Sequence, residues 1–295
     1  MLKNMNQVGK NKRLRSIFSH ESGKIVVVPI DDSLLAGPSN GLEDLRNKTK
    51  KIISASPSAI IGFQGSFRNL SSEISNVPSI LNLTASSTES MHTRKVLIGS
   101  LELAVKLGVE AVAVHVNISS KYEHEMLRIL GEVSLECERF GMPLMGIMYP
   151  RTENKDKTDN NYLDLKEKEI KKYSELVAHS ARIGIELGVD IIKTQYTGSI
   201  ESFQYVVDCC NPIPVITAGG PPLLLSELLD NAYGALKAGA AGVSFGRNIY
   251  TREDPEPYIA SVKEIIFNNK SVDEAKVFFT EYYLNINKKN NYNYA

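Results

Sequence analysis

Eight short, β-branched and mostly apolar runs recur along the chain, separated by stretches with the apolar period of an amphipathic helix. The runs cover 24–30, 58–63, 79–83, 110–116, 143–148, 189–193, 213–217 and 241–245. Most are continuous rather than alternating, as strands are when helices cover both faces of a parallel sheet. Helical patterns over 99–107, 123–140, 174–187 and 226–238 lie between them, the last closed by Gly239 as a C-cap. Eight strands with helices between them predict a (β/α)8 TIM barrel, in number and in length. An open, doubly wound sheet is the alternative. It is weakened because no glycine-rich turn follows the first run; Ile30 leads instead into Asp31-Asp32-Ser33.

Two segments depart from this rhythm. Residues 152–172 are rich in Asn, Asp and Lys and follow the fifth run, which predicts a long loop on the face where a barrel carries its site. A lid and a solvated insertion both fit such a loop. Residues 285–295, rich in Asn, Lys and Tyr, predict a fraying tail. The 295 residues are read as one barrel domain without internal repeats.

Charge and cysteine usage narrow the partners. The chain carries 34 Lys and Arg against 34 Asp and Glu, a formal net charge of zero. Nucleic acid and anionic membranes reward a basic surface, so neither is expected as a partner. No stretch reaches the roughly 18 apolar residues of a spanning helix, and residues 1–15 are basic without the apolar core of a secretory signal. Cys137, Cys209 and Cys210 are odd in number with two adjacent, a poor disulfide framework that predicts reduced thiols and a cytoplasmic location.

A barrel gathers the side chains at the carboxyl ends of its strands into one site. Those positions hold Asp31 and Asp32, His115 and Asn117, Tyr149 and Arg151, Lys193, Gly219-Gly220 and Gly246-Arg247. Lys193 closes the run Val189-Asp190-Ile191-Ile192, so its amine is expected to leave an apolar wall. Burial there disfavours the ammonium form and yields an amine able to attack a carbonyl, unless the side chain snorkels to solvent. Tyr149 is placed to move a proton, or to pack at the rim. Asp31 fits three tasks, orienting hydroxyls, acting as a base or pairing with the lysine, besides a simple turn role. The glycine turns after runs seven and eight, Gly219-Gly220 and Gly246, expose backbone N–H groups where this fold binds phosphate, with Arg247 to add charge.

Other residues read as ordinary structure. His115 fits a satisfied histidine near the core, Met142, Met145 and Met148 fit core fillers, and Lys166 to Lys172 fit a solvated helix face. No His, Cys or carboxylate spacing suggests zinc, so neither a metal nor another cofactor is expected.

Taken together, these segments resemble the archaeal-type class I aldolases, the group of fructose-bisphosphate aldolases and 2-amino-3,7-dideoxy-D-threo-hept-6-ulosonate synthases. The resemblance is carried by 13–38, 111–117, 141–151, 176–198, 218–221 and 238–249. It looks closer to the synthases at His115-Val116-Asn117, Gly141-Met142-Pro143-Leu144 and Met148-Tyr149-Pro150-Arg151. The resemblance implies that Lys193 forms a Schiff base, Tyr149 donates a proton and Asp31 accepts one. It further implies that Asp31, Asp32, Ser33, Leu34, Leu35, Tyr149, Pro150, Arg151, Gly219, Gly220, Gly246 and Arg247 line a ketose-phosphate site.

The implied reaction transfers a ketose-phosphate-derived fragment to aspartate semialdehyde, an early step towards aromatic compounds. The implied partners are thus a phosphorylated ketose and an aldehyde, and the implied assembly is a homo-oligomer of pentamer-based rings. Fructose-bisphosphate cleavage, a dihydroxyacetone phosphate plus semialdehyde aldolase of secondary metabolism, and a non-catalytic sugar-phosphate binder are the rivals. Four positions depart from the family pattern. Asp31-Asp32-Ser33 replaces Asp-His-Gly, Gln64-Gly65 replaces Lys-Gly, and Thr152 stands for a glycine, which leaves substrate identity open.

Overall fold

The structure is a computed structural model that describes residues 2–38, 41–89, 91–156 and 158–292. Eight parallel strands close a barrel: β1 (Ile25–Pro29), β2 (Ala59–Gly62), β3 (Ser79–Asn82), β4 (Ala111–Ile118), β5 (Leu144–Pro150), β6 (Ile191–Gln195), β7 (Val215–Ala218) and β8 (Gly242–Ser244). Each pairs with the next, and β8 returns to β1 through Ile25 to Val27 against Gly242 to Ser244. Closure rules out the open sheet, and every expected run contains a strand. The largest revision is at β6, which continues to Gln195, so Lys193 is its central residue rather than its last. Thr194 and Gln195 pair with Thr217 and Ala218, and the Thr194 hydroxyl donates to the Met148 carbonyl at 2.8 Å. Their polarity hid the strand's end in the sequence.

Side chains alternate across the barrel wall with the period of two that a strand imposes. Ile25, Val27, Ile61, Ala113, Ile147, Ile191 and Ile216 fill the interior. Val26, Val28, Val112, Val114, Ile192 and Val215 point the other way and pack beneath the helices. This explains why both parities of each run are apolar. The amino end of the barrel is closed by a helix, Leu2–Ile17, that hydropathy alone did not suggest. Its Ile17 is wholly buried in the interior cluster, Leu14 packs beside it, and Arg13 donates to the Gly141 carbonyl at 2.9 Å.

Among the outer helices, Glu123–Phe140 falls where the pattern placed it and ends at Gly141 with φ 59°. The segment 152–172 is more ordered than a loop. Thr152–Glu153 pairs antiparallel with Asp159–Asn160, and helices Leu163–Lys168 and Ile170–Glu186 follow directly. Lys157 lies outside the described residues. Lys166 also turns inward, donating to the Tyr196 carbonyl at 3.0 Å, whereas Glu167 to Lys172 are exposed. The last helix runs Val272–Tyr292, into the segment expected to fray, and 293–295 lie outside the described residues. Tyr282 to Glu256 (2.7 Å) and the Tyr258–Phe279 ring contact anchor it, and extending an anchored helix is cheap. Among the described residues, no helix is long and apolar enough to cross a membrane. Cys137, Cys209 and Cys210 are all free thiols.

Candidate active site

Towards the carboxyl end of the barrel the inward positions change from apolar to polar. The interior series runs Val27, Pro29, Asp31 from β1; Ile80, Asn82, Thr84 from β3; Ala113, His115, Asn117 on β4; Ile147, Tyr149, Arg151 from β5; and Ile191, Lys193 on β6. Nearly all of these polar residues line one cavity of about 510 Å³, together with Asp32, Leu35, Lys95, Gly219, Gly220, Gly246, Arg247 and Tyr250. Strand periodicity alone therefore delivers an amine, an acid and a phenol to one mouth.

Lys193 stands in register with Ile147 on one side and Ile216 on the other, which supplies the expected apolar wall. It is 7 % exposed. Burial pulls its ammonium pKa down, against the opposing attraction of Asp31 and Asp32. Asp31, equally buried, accepts from Asn82 Nδ2 at 2.9 Å. Burial pushes its carboxyl up despite the Lys193 charge. Burial thus opposes the charged form of both groups, while their mutual attraction favours it. Burial likewise pushes the Tyr149 phenol up, so it holds its proton through the neutral range. The Tyr149 ring meets His115 edge-on at 4.9 Å, and the Arg151 guanidinium lies 5.5 Å from its centroid.

His115 is the satisfied histidine that the sequence suggested, and it also lines the cavity. Its Nε2 lies 3.0 Å from Asn117 Oδ1, while Asn117 Nδ2 donates to the Thr93 carbonyl at 2.9 Å. Burial holds its pKa well below the ordinary histidine value, so the imidazole is neutral.

The two glycine turns meet as expected, with one revision. The Gly219 N–H donates to the Ser244 carbonyl at 3.2 Å and is not free for an anion. A side chain on Gly219 would come within 2.9 Å of Phe245 and 3.0 Å of Asn248, while Gly220 sits at φ +66°. Packing explains the first glycine and backbone conformation the second. Asn248, which sequence reasoning passed over, clamps the turns: its Nδ2 donates to the Gly219 (2.9 Å) and Pro221 (3.0 Å) carbonyls, and its Oδ1 accepts from Leu223 N (2.8 Å). Arg247 is half-exposed, with Nε 3.8 Å from Asp32 Oδ2, and that carboxylate also accepts from the Tyr250 hydroxyl.

Ser33, Leu34 and Pro150 stay out of this cavity. After Asp31 the chain turns into a short helix, Asp32–Ala36, which returns Leu35 to the cavity but sends Ser33 and Leu34 into a second pocket beside Gln64 and Gly65. Pro150 has the outward parity on β5. Two of the departures from the family pattern, Ser33 and Gln64, therefore sit outside the cavity.

Lys95 was not singled out in the sequence. It lines the cavity from the loop after β3, is 1 % exposed, and its pKa is lowered to about 7, chiefly by burial and then by Arg151. A lone lysine opening the run Val96-Leu97-Ile98 was the only available signal.

A parallel eight-stranded barrel with a buried amine, an acid and a phenol at its carboxyl end defines an aldolase of the Schiff-base, class I type. The chain belongs to the DeoC/LacD family of aldolases, whose family model matches residues 25–252. It is 31 % identical over 268 residues to 2-amino-3,7-dideoxy-D-threo-hept-6-ulosonate synthase 1 of Archaeoglobus fulgidus, covering 90 % of this chain and 94 % of that protein. It is 29 % identical over 263 residues to the 2-amino-4,5-dihydroxy-6-oxo-7-(phosphonooxy)heptanoate synthase of Streptomyces griseus, covering 88 % and 91 %. Among solved structures, an archaeal fructose 1,6-bisphosphate aldolase superposes with a TM-score of 0.77 at 27 % identity, covering 88 % of this chain and 99 % of that one.

Proposed function

We propose that the chain joins a ketose-phosphate-derived fragment to aspartate semialdehyde, in the manner of the hept-6-ulosonate synthases it is similar to. The observation that carries the reading is the buried Lys193 amine, walled by Ile147 and Ile216 and sharing one cavity with Asp31 and Tyr149. The neutral amine attacks the ketose carbonyl carbon, and the carbinolamine loses water to give an iminium. A base takes the proton of the hydroxyl on the β carbon, two carbons from the iminium carbon, the bond between the α and β carbons breaks, and its electron pair enters the enamine. An aldehyde fragment departs. The enamine carbon then attacks the aldehyde carbon of the acceptor, whose oxygen takes a proton, and water releases the product and the amine.

In this scheme Tyr149 donates the proton and Asp31 accepts it, consistent with their burial on either side of the strand that holds Lys193. Gly220, Gly246 and Arg247 bind the donor phosphate; Asp32 and Leu35 line its path and Arg151 the far side. The same reading includes a cytoplasmic, homo-oligomeric enzyme, for which the three free cysteines and the family resemblance are the support. The archaeal structural neighbour favours fructose-bisphosphate cleavage as the second reading. Borohydride reduction with candidate ketose phosphates, read by mass, is expected to leave an adduct on Lys193. Product analysis with aspartate semialdehyde against glyceraldehyde 3-phosphate then decides between the two enzymes. A chain that binds sugar phosphate without forming any adduct would be a binder and not this enzyme.

A further inference from the structure

The cavity has a second polar lobe, four strands round the closed barrel from the glycine turns of β7 and β8. It is built by the excursion between β3 and β4, where Thr84–Ala85 leaves and Val96–Leu97 returns as a short antiparallel pair. Long-range hydrogen bonds fix its shape. Thr88 N donates to the Leu35 carbonyl at 2.7 Å, Asn117 Nδ2 to the Thr93 carbonyl at 2.9 Å, and the Thr93 hydroxyl to Glu153. Lys95 is thereby held with its side chain buried at the cavity wall.

The charges in this lobe do not balance. Lys95 Nζ donates to Ser86 Oγ at 2.7 Å and lies 3.3 Å from His92 Nδ1. Both partners are uncharged, because burial and Lys95 pull the His92 pKa down to about 3. Arg151, which enters the same cavity from the end of β5, donates through Nε to Asn161 Oδ1 at 2.7 Å. Its Nη1 is buried without a hydrogen-bond partner, and the nearest carboxylate, Asp159, is 3.8 Å away. Asp159 is also 3.7 Å from His92 Nε2. Arg151 and Lys95 have Asp159 in common, with Asp31 and Asp32 also acting on Lys95, and an unfilled guanidinium donor is expensive to keep dry. An incoming anion would relieve both, and a guanidinium beside an ammonium is suited to bind one.

We propose that Lys95 and Arg151 form the subsite for the anionic end, carboxylate or phosphate, of the aldehyde acceptor, and so select that acceptor. The proposal rests on the aldolase reading above. It follows from position: the donor phosphate occupies the β7–β8 side, the enamine forms at Lys193 on β6, and Arg151 overhangs Tyr149 beyond it. An aldehyde whose carbonyl meets the enamine beneath Tyr149 then directs its far end to Lys95.

Acceptor kinetics at saturating donor test this with aspartate semialdehyde, glyceraldehyde 3-phosphate and uncharged glyceraldehyde. For Lys95→Met, KM for the charged acceptor is expected to rise about 10–100-fold, the effect of one charge-assisted hydrogen bond. KM for glyceraldehyde and borohydride trapping of the donor should stay within twofold, and Lys95→Arg should restore the preference for charge. The charged aldehyde whose KM moves identifies the anion as carboxylate or phosphate. A measurement on the unaltered protein stands beside the variants: butyrate should compete with the charged acceptor, whereas uncharged butyramide should not. Equal losses for charged and uncharged aldehydes, an unmoved KM, or equal competition by both small molecules overturns the subsite while donor trapping still upholds the aldolase. Failure of the unaltered protein to trap any ketose phosphate overturns the aldolase reading itself.

Discussion

Replacing Tyr149 with phenylalanine removes one oxygen from the centre of the cavity and little else. The ring keeps its edge contact with His115 and its place beneath Arg151. Among the described residues, no hydrogen bond engages the phenol. Deleting a hydroxyl without a protein partner should change stability by less than about 1 kcal/mol, or about 2–4 °C in Tm for a chain of this size. The reacting groups that precede it are untouched: the Lys193 amine keeps its Ile147 and Ile216 walls, and the glycine turns stay clamped by Asn248. Borohydride trapping should therefore proceed at the parent rate, because imine formation needs the amine and not the phenol. Turnover should fall roughly 10²–10⁴-fold, the usual contribution of a positioned acid or base. The assay is paired: adduct mass after reduction, and product formation with the acceptor aldehyde, both on protein of matched melting temperature. Turnover at the parent rate would make Tyr149 a rim aromatic. Loss of trapping alongside turnover would place its role before the iminium, and either result refutes the assigned division of labour.

Three further outcomes follow from the same geometry. Lys193→Met should abolish both trapping and turnover; activity surviving in this variant without added metal would end the Schiff-base reading. Because burial lowers the Lys193 pKa, the neutral amine is populated at lower pH than in free lysine, so the trapping rate should rise with pH through a midpoint below 10.5; a midpoint at or above that value would show an ordinary, solvated lysine. Asn248→Ala leaves two carbonyls and the Leu223 N–H of the turns without their partner, so stability should drop by about 1 kcal/mol and KM for the phosphorylated donor should rise more than kcat falls; an unchanged melting temperature in calorimetry would show that the turns hold themselves.

How far the site can be read from sequence depends on which kind of backbone carries each residue. Asp31, Tyr149 and Lys193 were legible because strands impose a period of two, and apolar runs announce where strands stand. The segment 31–35 was misread as a continuous lining because its backbone turns helical, so that Ser33 and Leu34 face a different pocket from Asp31 and Leu35. Lys95 was illegible for a stronger reason. Its position is set by hydrogen bonds to Leu35, Asn117 and Glu153, all remote in the chain, and no local pattern reports such contacts. The closing helix Leu2–Ile17 was missed because only one flank of it meets the barrel, through Leu14 and Ile17.

The same distinction bears on what Asp32 does. In sequence it stands beside Asp31, among the residues that the resemblance sets along a ketose-phosphate site. In the structure it is the first residue of a helix, accepts from the Tyr250 hydroxyl and lies 3.8 Å from Arg247. It therefore tempers the Arg247 cation beside the glycine turns. At the opposite end Arg151 has Asp159 at 3.8 Å, while Asp159, Asp31 and Asp32 all act on Lys95. The unpartnered Arg151 Nη1 is thus a local imbalance within the cavity, although the chain as a whole is neutral. Field strength in a closed cleft depends on such local imbalance and not on net charge. On the function proposed above, Asp32, standing where the resembled family has histidine, acts on how tightly the donor phosphate is held, while the amine, the acid and the phenol keep their places in the cavity.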